Sequence, residues 1–151
     1  MNNESKNCID VLLVEDNPAD VILMQEALSD AACCNRLHVV NDGEEAMAFL
    51  RRQGVYAAAS RPDIILLDLN LPKKDGREVL KEIKEDGSLM HIPVIIISTS
   101  QSQEEIMNSY RLHANCFISK PVDLNRFFEM VRAIDSFWFS VASLPQKTWR
   151  C

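Results

Sequence analysis

The chain has 151 residues, 47% of them hydrophobic, enough for one well-filled core and too few for two full domains. A formal charge of −6 and an isoelectric point near 5.0 argue against nucleic acid or an anionic membrane as the main partner, since such surfaces recruit a basic face. The polar N-terminal arm, residues 1–8, lacks the apolar centre of a signal peptide, and no run reaches the length of a membrane span, so a soluble cytoplasmic protein is expected.

Apolar runs of strand length alternate with segments of helical periodicity, the pattern of successive βαβ units. Strand one is read at Ile9–Val14. Asn17 as cap and Pro18 in the first turn open helix one, which carries Val21, Ile22, Met24, Gln25 and Leu28 at mixed spacing. Leu37–Asn41 reads as strand two. Asp42-Gly43-Glu44-Glu45 is a capping-box pattern opening helix two, with Ala46, Met47, Phe49 and Leu50 on its apolar face. Strand three, Ile64–Asp68, is aliphatic throughout until its closing acid, as suits a strand covered on both faces. Asp75 with Glu78 opens helix three, whose Val79, Leu80 and Ile83 face inward and whose stop is placed near Gly87. Strand four is Val94–Ile97, helix four starts at Ser102 with Glu105, and strand five is Cys116–Ser119. Helix five follows Asp123, with Phe127, Phe128, Val131 and Ile134 as its apolar stripe.

Four of these strands end in residues suited to a phosphoryl group: Glu15-Asp16, Asp68, Ser98 and Lys120. Right-handed crossovers and two covered faces favour a doubly wound five-stranded parallel sheet, an α/β (βα)₅ fold in the order 2-1-3-4-5. In that order strands one and three are neighbours at the switch point, so the three acids converge, with Ser98 and Lys120 approaching from the other side. Carboxylates about 5 Å apart repel by about 3 kcal/mol per pair at an effective dielectric of about 20. A hard divalent cation relieves this, and Mg²⁺, normally held by one or two carboxylates, waters and a phosphoryl oxygen, suits it best. Read singly, the same acids would be helix-start and loop-capping groups, but that reading leaves Ser98 and Lys120 unexplained.

Leu12–Asn17, Leu66–Gly76, Pro93–Thr99 and Ile118–Pro121 together resemble the receiver domain of two-component response regulators, a flavodoxin-like fold, over about Ile9 to Ile134. Asp68–Leu80 and the tail pattern Phe137-Trp138 with Leu144-Pro145 are similar to the stand-alone regulators that partner bacterial phytochrome histidine kinases. The resemblance implies residues 9–134 as a receiver domain and Asp68 as acceptor of a phosphoryl group from a sensor histidine kinase. Mg²⁺ would lie among Glu15, Asp16, Asp68 and the backbone carbonyl of Asn70. Lys120 and Ser98 would assist the transfer, Ser98 and Phe117 would act as switch residues, and Lys120-Pro121 would be a cis peptide. Ser98 stands where threonine is frequent, Phe117 where tyrosine is, and His113 where glycine is common, which puts the turn before strand five in question. Phe117 reads either as a ring that swings inward or as a static edge residue.

The five cysteines, Cys8, Cys33, Cys34, Cys116 and Cys151, are odd in number and lack C-x-x-C spacing, so thiols are expected, with Cys33-Cys34 as small residues near a helix end. His38, His91 and His113 are scattered and read as neither ligands nor bases. The extension, residues 135–151, is too short for an output domain, so the signal is expected to leave through a surface. Phe137, Trp138, Phe139 and Val141 suggest a homodimer through helix four, strand five, helix five and the tail; the alternative is a tail folded back on its own domain. Two rivals share the acceptor: a haloacid-dehalogenase-type phosphatase, which needs a second Asp where Asn70 stands, and a pseudo-receiver that binds partners without phosphorylation.

Overall fold

The structure, a computed structural model, describes residues 8–145. Residues 1–7 of the N-terminal arm, and residues 146–151 with Cys151, lie outside the described residues. The elements are β1 (Ile9–Val14), α1 (Pro18–Ser29), β2 (Asn35–Val40), α2 (Gly43–Leu50), β3 (Ile64–Leu67), α3 (Gly76–Glu85), β4 (Val94–Ser98), α4 (Gln103–Arg111), β5 (Cys116–Ser119) and α5 (Leu124–Ile134). The sheet is parallel throughout in the expected order, β2-β1-β3-β4-β5.

The period of two along the strands divides the core in two. Leu12, Val14, Ile65, Leu67, Val94 and Ile96 face α2 and α3 with Phe49, Leu50, Leu80 and Ile83. Val11, Leu13, Ile64, Leu66, Ile95 and Ile97 face α1 and α5 with Met24, Leu28, Phe127 and Val131. All of β3 and β4 is buried, and each large aliphatic side chain there contributes about 1.5–3 kcal/mol by leaving water. Both layers end at the same edge, so the residues after β1 and β3 have no core to enter and must meet one another.

Sequence and structure part in a few places. Ile22 is 55% exposed and Gln25 is exposed; α1 seats on the sheet through Met24, Ala27 and Leu28 instead. β2 starts earlier, at Asn35, whose amide donates to Leu28 O and Cys33 O at 3.1 Å each. Asp42 caps Glu45 N–H and Ser102 caps Glu105 N–H, but the boxes are not closed there. The Glu45 carboxylate takes the Tyr56 hydroxyl, and that of Glu105 pairs with Arg77. The box at Asp75 and Glu78 is complete. A 3₁₀ turn at Gly54–Tyr56 and a π-helical continuation at Asp135–Val141 were not foreseen.

Cys8 and Cys34 form a disulfide where thiols were expected, while Cys33 and Cys116 remain thiols. The cause is register. Ile9 pairs with Asn35 across β1 and β2, so the residues just before each strand stand abreast. The cis expectation also fails: among the described residues every peptide is trans, the ordinary preference of an X–Pro bond. Lys120 is aimed by its N–H, which donates to Ser98 O at 2.6 Å.

His113 takes φ 74°, in the left-handed region that ordinarily favours glycine. It stands just beyond the α4 cap, with His113 N–H donating to Tyr110 O and Ala114 N–H to Ser109 O, the two bonds of a Schellman stop. The turn therefore forms without glycine, at a cost of about 1–2 kcal/mol. The tail is divided. Asp135 accepts from Ala32 N–H and Cys33 N–H, Phe139 is buried and Trp138 packs on the α1–α5 layer, whereas Phe137 and Val141 are 52% and 71% exposed.

Candidate phosphoacceptor and metal site

The chain leaving β1 places Glu15 inside the edge and Asp16 outside it: Glu15 is 4% exposed and Asp16 lies open to solvent. Asp68 follows β3, held by its own N–H to Val14 O at 3.1 Å, which fastens it to the end of β1. One carboxylate oxygen each from Glu15, Asp16 and Asp68 lie within 4.8 Å of one another. The Asn70 N–H donates to Asp68 Oδ1 at 3.0 Å, orienting the carboxylate from the loop side.

Behind that loop Gly76 touches backbone. A Cβ there would stand 2.3 Å from Asp68 O and 2.6 Å from Leu69 Cα, so only glycine lets α3 begin this close to the acid.

Lys120 reaches in from the end of β5 and is only 8% exposed in its side chain. Its three ammonium hydrogens meet three carboxylates: Glu15 Oε1 at 2.9 Å, Asp20 Oδ2 at 3.0 Å and Asp68 Oδ2 at 3.4 Å. Leu13, Leu66, Ile97, Met24 and Phe127 line the apolar side of this cleft, where stray charge is costly. Burial pushes the Glu15 carboxyl up to about 7; the Lys120 hydrogen bond and charge pull it back, and Asp68 adds to the rise. Burial alone would lower the Lys120 ammonium, but hydrogen bonds to Glu15 and Asp20 and the charges of Glu15 and Asp68 hold it above the usual lysine range.

One ammonium thus meets three carboxylates, with Asp16 a fourth acid alongside, so the site keeps an excess of negative charge. The donor set is all oxygen, which fits a hard cation such as Mg²⁺ and lacks the His and Cys ligands that zinc sites usually carry.

Ser98 is fully buried at the end of β4, beside Ser119 in register, and its hydroxyl accepts Ser100 N–H at 3.1 Å, tying down the β4–α4 loop. Phe117, in β5, is partly buried against the α2–α3 layer, and its N–H donates to the Tyr110 hydroxyl at 3.2 Å. The sequence reading named every member of this group except Asp20. A single acid in a helix's first turn looks like an ordinary dipole partner, and Asp16 lies before the Asn17 cap, outside α1, so no helical spacing links the two acids.

Residues 11–132 match the response regulator receiver domain family. Response regulator Rcp1 from Synechocystis sp. is 48% identical over 96% of this chain and 99% of its own length. The crystal structure of the phosphorylated cyanobacterial phytochrome response regulator RcpA superposes with a TM-score of 0.89 at 54% identity, covering 92% of this chain and 99% of that one. The Mn²⁺-bound form of Rcp1 does so at 0.88 and 48%, covering 91% and 99%. With this family, sheet order and double acid, the phosphatase reading has no remaining support. The chain belongs to the response regulator receiver domain family.

Proposed function

We propose that this chain is a stand-alone response regulator that takes a phosphoryl group on Asp68 from the phosphohistidine of a sensor kinase, with Glu15, Asp16, Asp68 and the Asn70 carbonyl holding Mg²⁺. The observation that carries the reading is the meeting of Glu15, Asp16 and Asp68 around one point with the Lys120 ammonium beside them. Asp68 Oδ attacks phosphorus; the P–O bond forms as the P–N bond breaks, and the imidazole leaves with the electron pair and takes a proton from solvent. The protein's share is in-line positioning and charge. When bound, Mg²⁺ supplies charge neutralisation on the phosphoryl oxygens. Lys120 holds the other side, and the Asn70 N–H keeps Asp68 turned toward the donor.

Ser98 and Phe117 are the proposed switch. Drawing the Ser98 hydroxyl to the new phosphoryl group would release Ser100 N–H and loosen the β4–α4 loop, opening room for the Phe117 ring. The output face would be α4, β5 and α5, where Met107, Tyr110, Val122 and Leu124 are all exposed, with Phe137 and Val141 extending it into a homodimer. Phe139 and Trp138, already packed on their own domain, take no part. The resemblance to Rcp1 and RcpA supports a phytochrome kinase as donor and a cytoplasmic setting, and among the described residues no helix is long and apolar enough to cross a membrane.

Transfer from a purified, radiolabelled phytochrome-type histidine kinase tests this. The chain should take up label in Mg²⁺ and lose it in chelator, while Asp68→Asn takes up none. Absence of label from both this kinase and acetyl phosphate would favour the pseudo-receiver. Light scattering before and after phosphorylation tests the dimer, and a monomer in both states would remove it.

A further inference from the structure

The bond lengths at Lys120 are unequal. The ammonium lies nearest Glu15 and Asp20, at 2.9 and 3.0 Å, and farthest from Asp68, at 3.4 Å. Asp20 stands on α1, outside the two strand ends that carry Glu15 and Asp68, and its side chain is 25% exposed. It therefore pulls the ammonium toward α1. The other walls of the cleft are Leu13, Leu66, Ile97, Met24 and Phe127, so the third ammonium hydrogen keeps the longer bond to Asp68 rather than go unpaired, which is costly for a buried donor.

We infer that Asp20 is a positioning residue: it holds the Lys120 ammonium back from Asp68, so that the acceptor carboxylate stays open to the metal and to the phosphoryl donor. Without Asp20 the ammonium settles onto Asp68 and Glu15 and competes with the cation for the same oxygens. This rests on the reading of Glu15, Asp16 and Asp68 as a Mg²⁺ site. The consequence is a split. Mg²⁺ should bind more weakly, yet once saturating Mg²⁺ has displaced the ammonium from Asp68, the chemical step should run as before. A merely structural loss would lower both.

The test is calorimetric titration of the full chain with Mg²⁺, alongside the rate of acyl-phosphate formation from acetyl phosphate at saturating Mg²⁺. Asp20→Asn should raise the Mg²⁺ dissociation constant about three- to tenfold, a coupling of ordinary size for interacting charged groups, and leave the saturating rate within about twofold. Asp20→Glu, which keeps a carboxylate within reach of Lys120, should restore the affinity. Glu26→Gln removes the same charge from the exposed side of α1 and should change nothing. Unchanged affinity in Asp20→Asn, an equal loss in Asp20→Glu or in Glu26→Gln, or a fall in the saturating rate would each overturn the role of Asp20. Failure of the unaltered chain to bind Mg²⁺ would instead refute the metal site itself, and Asp20's role with it.

Discussion

The two ends of β1 each bury a carboxylate, and they treat it in opposite ways. At the first end Asp10 is 1% exposed and is matched: Arg36 donates through Nε at 2.8 Å and Nη2 at 3.2 Å, His38 Nε2 lies at 3.1 Å, and the Asp10 N–H donates to Asp63 Oδ2 at 2.9 Å. At the other end Glu15 is 4% exposed and shares one ammonium with Asp20 and Asp68 while Asp16 stands alongside. A balanced buried acid holds strands together. An unbalanced one is a standing demand for positive charge, which a cation and then a phosphoryl transfer can answer. One strand thus carries a structural acid and a functional acid, distinguished by the donors each has: the Asp10 carboxylate takes Arg36 and His38, whereas Glu15 shares Lys120 with Asp20 and Asp68.

The contrast can be broken from either side. Gly76→Ala should have the largest effect, because the gain in helix propensity, about 1 kcal/mol, is outweighed by a Cβ at 2.3 Å from Asp68 O; a net loss of about 3 kcal/mol in denaturant unfolding is expected, with phosphorylation impaired. Asp10→Ala should cost about 2 kcal/mol, by stripping Arg36 and His38 of their shared acceptor, yet leave Mg²⁺ affinity within twofold in the same titration.

At the functional end the dependence is on pH. Glu15 is raised from its usual 4.5 to about 7, so between those values the folded chain holds a proton that the unfolded chain has lost. Metal-free stability should therefore fall as pH rises from about 4.5 to about 7. Mg²⁺ needs the ionised carboxylate, so its affinity should be full above about 7 and weaken by up to about tenfold per unit below it, with proton uptake on metal release visible in unbuffered titration. The smallest effect is Asp68→Asn in metal-free buffer, where relief of crowding should raise stability by about 1 kcal/mol. A loss there would mean that Asp68 is matched like Asp10.

Much of this was legible in the sequence, for physical reasons that also mark its limits. β3 and β4 were plain because a strand covered on both faces must be aliphatic throughout, and the order of strands followed from handedness. The acids and Lys120 were legible because each closes an apolar run. Asp20 was not, since a helix acid gives no hint of which distant ammonium it meets. The Cys8–Cys34 disulfide depended on parallel register between β1 and β2, which counting cysteines cannot supply. The tail was legible only in part, because aromatic density says nothing about direction: Phe139 turns inward while Phe137 does not.

The most direct test of the central claim is chemical location of the phosphoryl group. After incubation with acetyl phosphate and Mg²⁺, borohydride reduction converts an acyl phosphate to an alcohol that survives digestion and mass spectrometry. The account predicts one reduced position, Asp68, absent in chelator and absent in Asp68→Asn. Reduction at Glu15 or Asp16, or at Asp68 with no dependence on the metal, would contradict it.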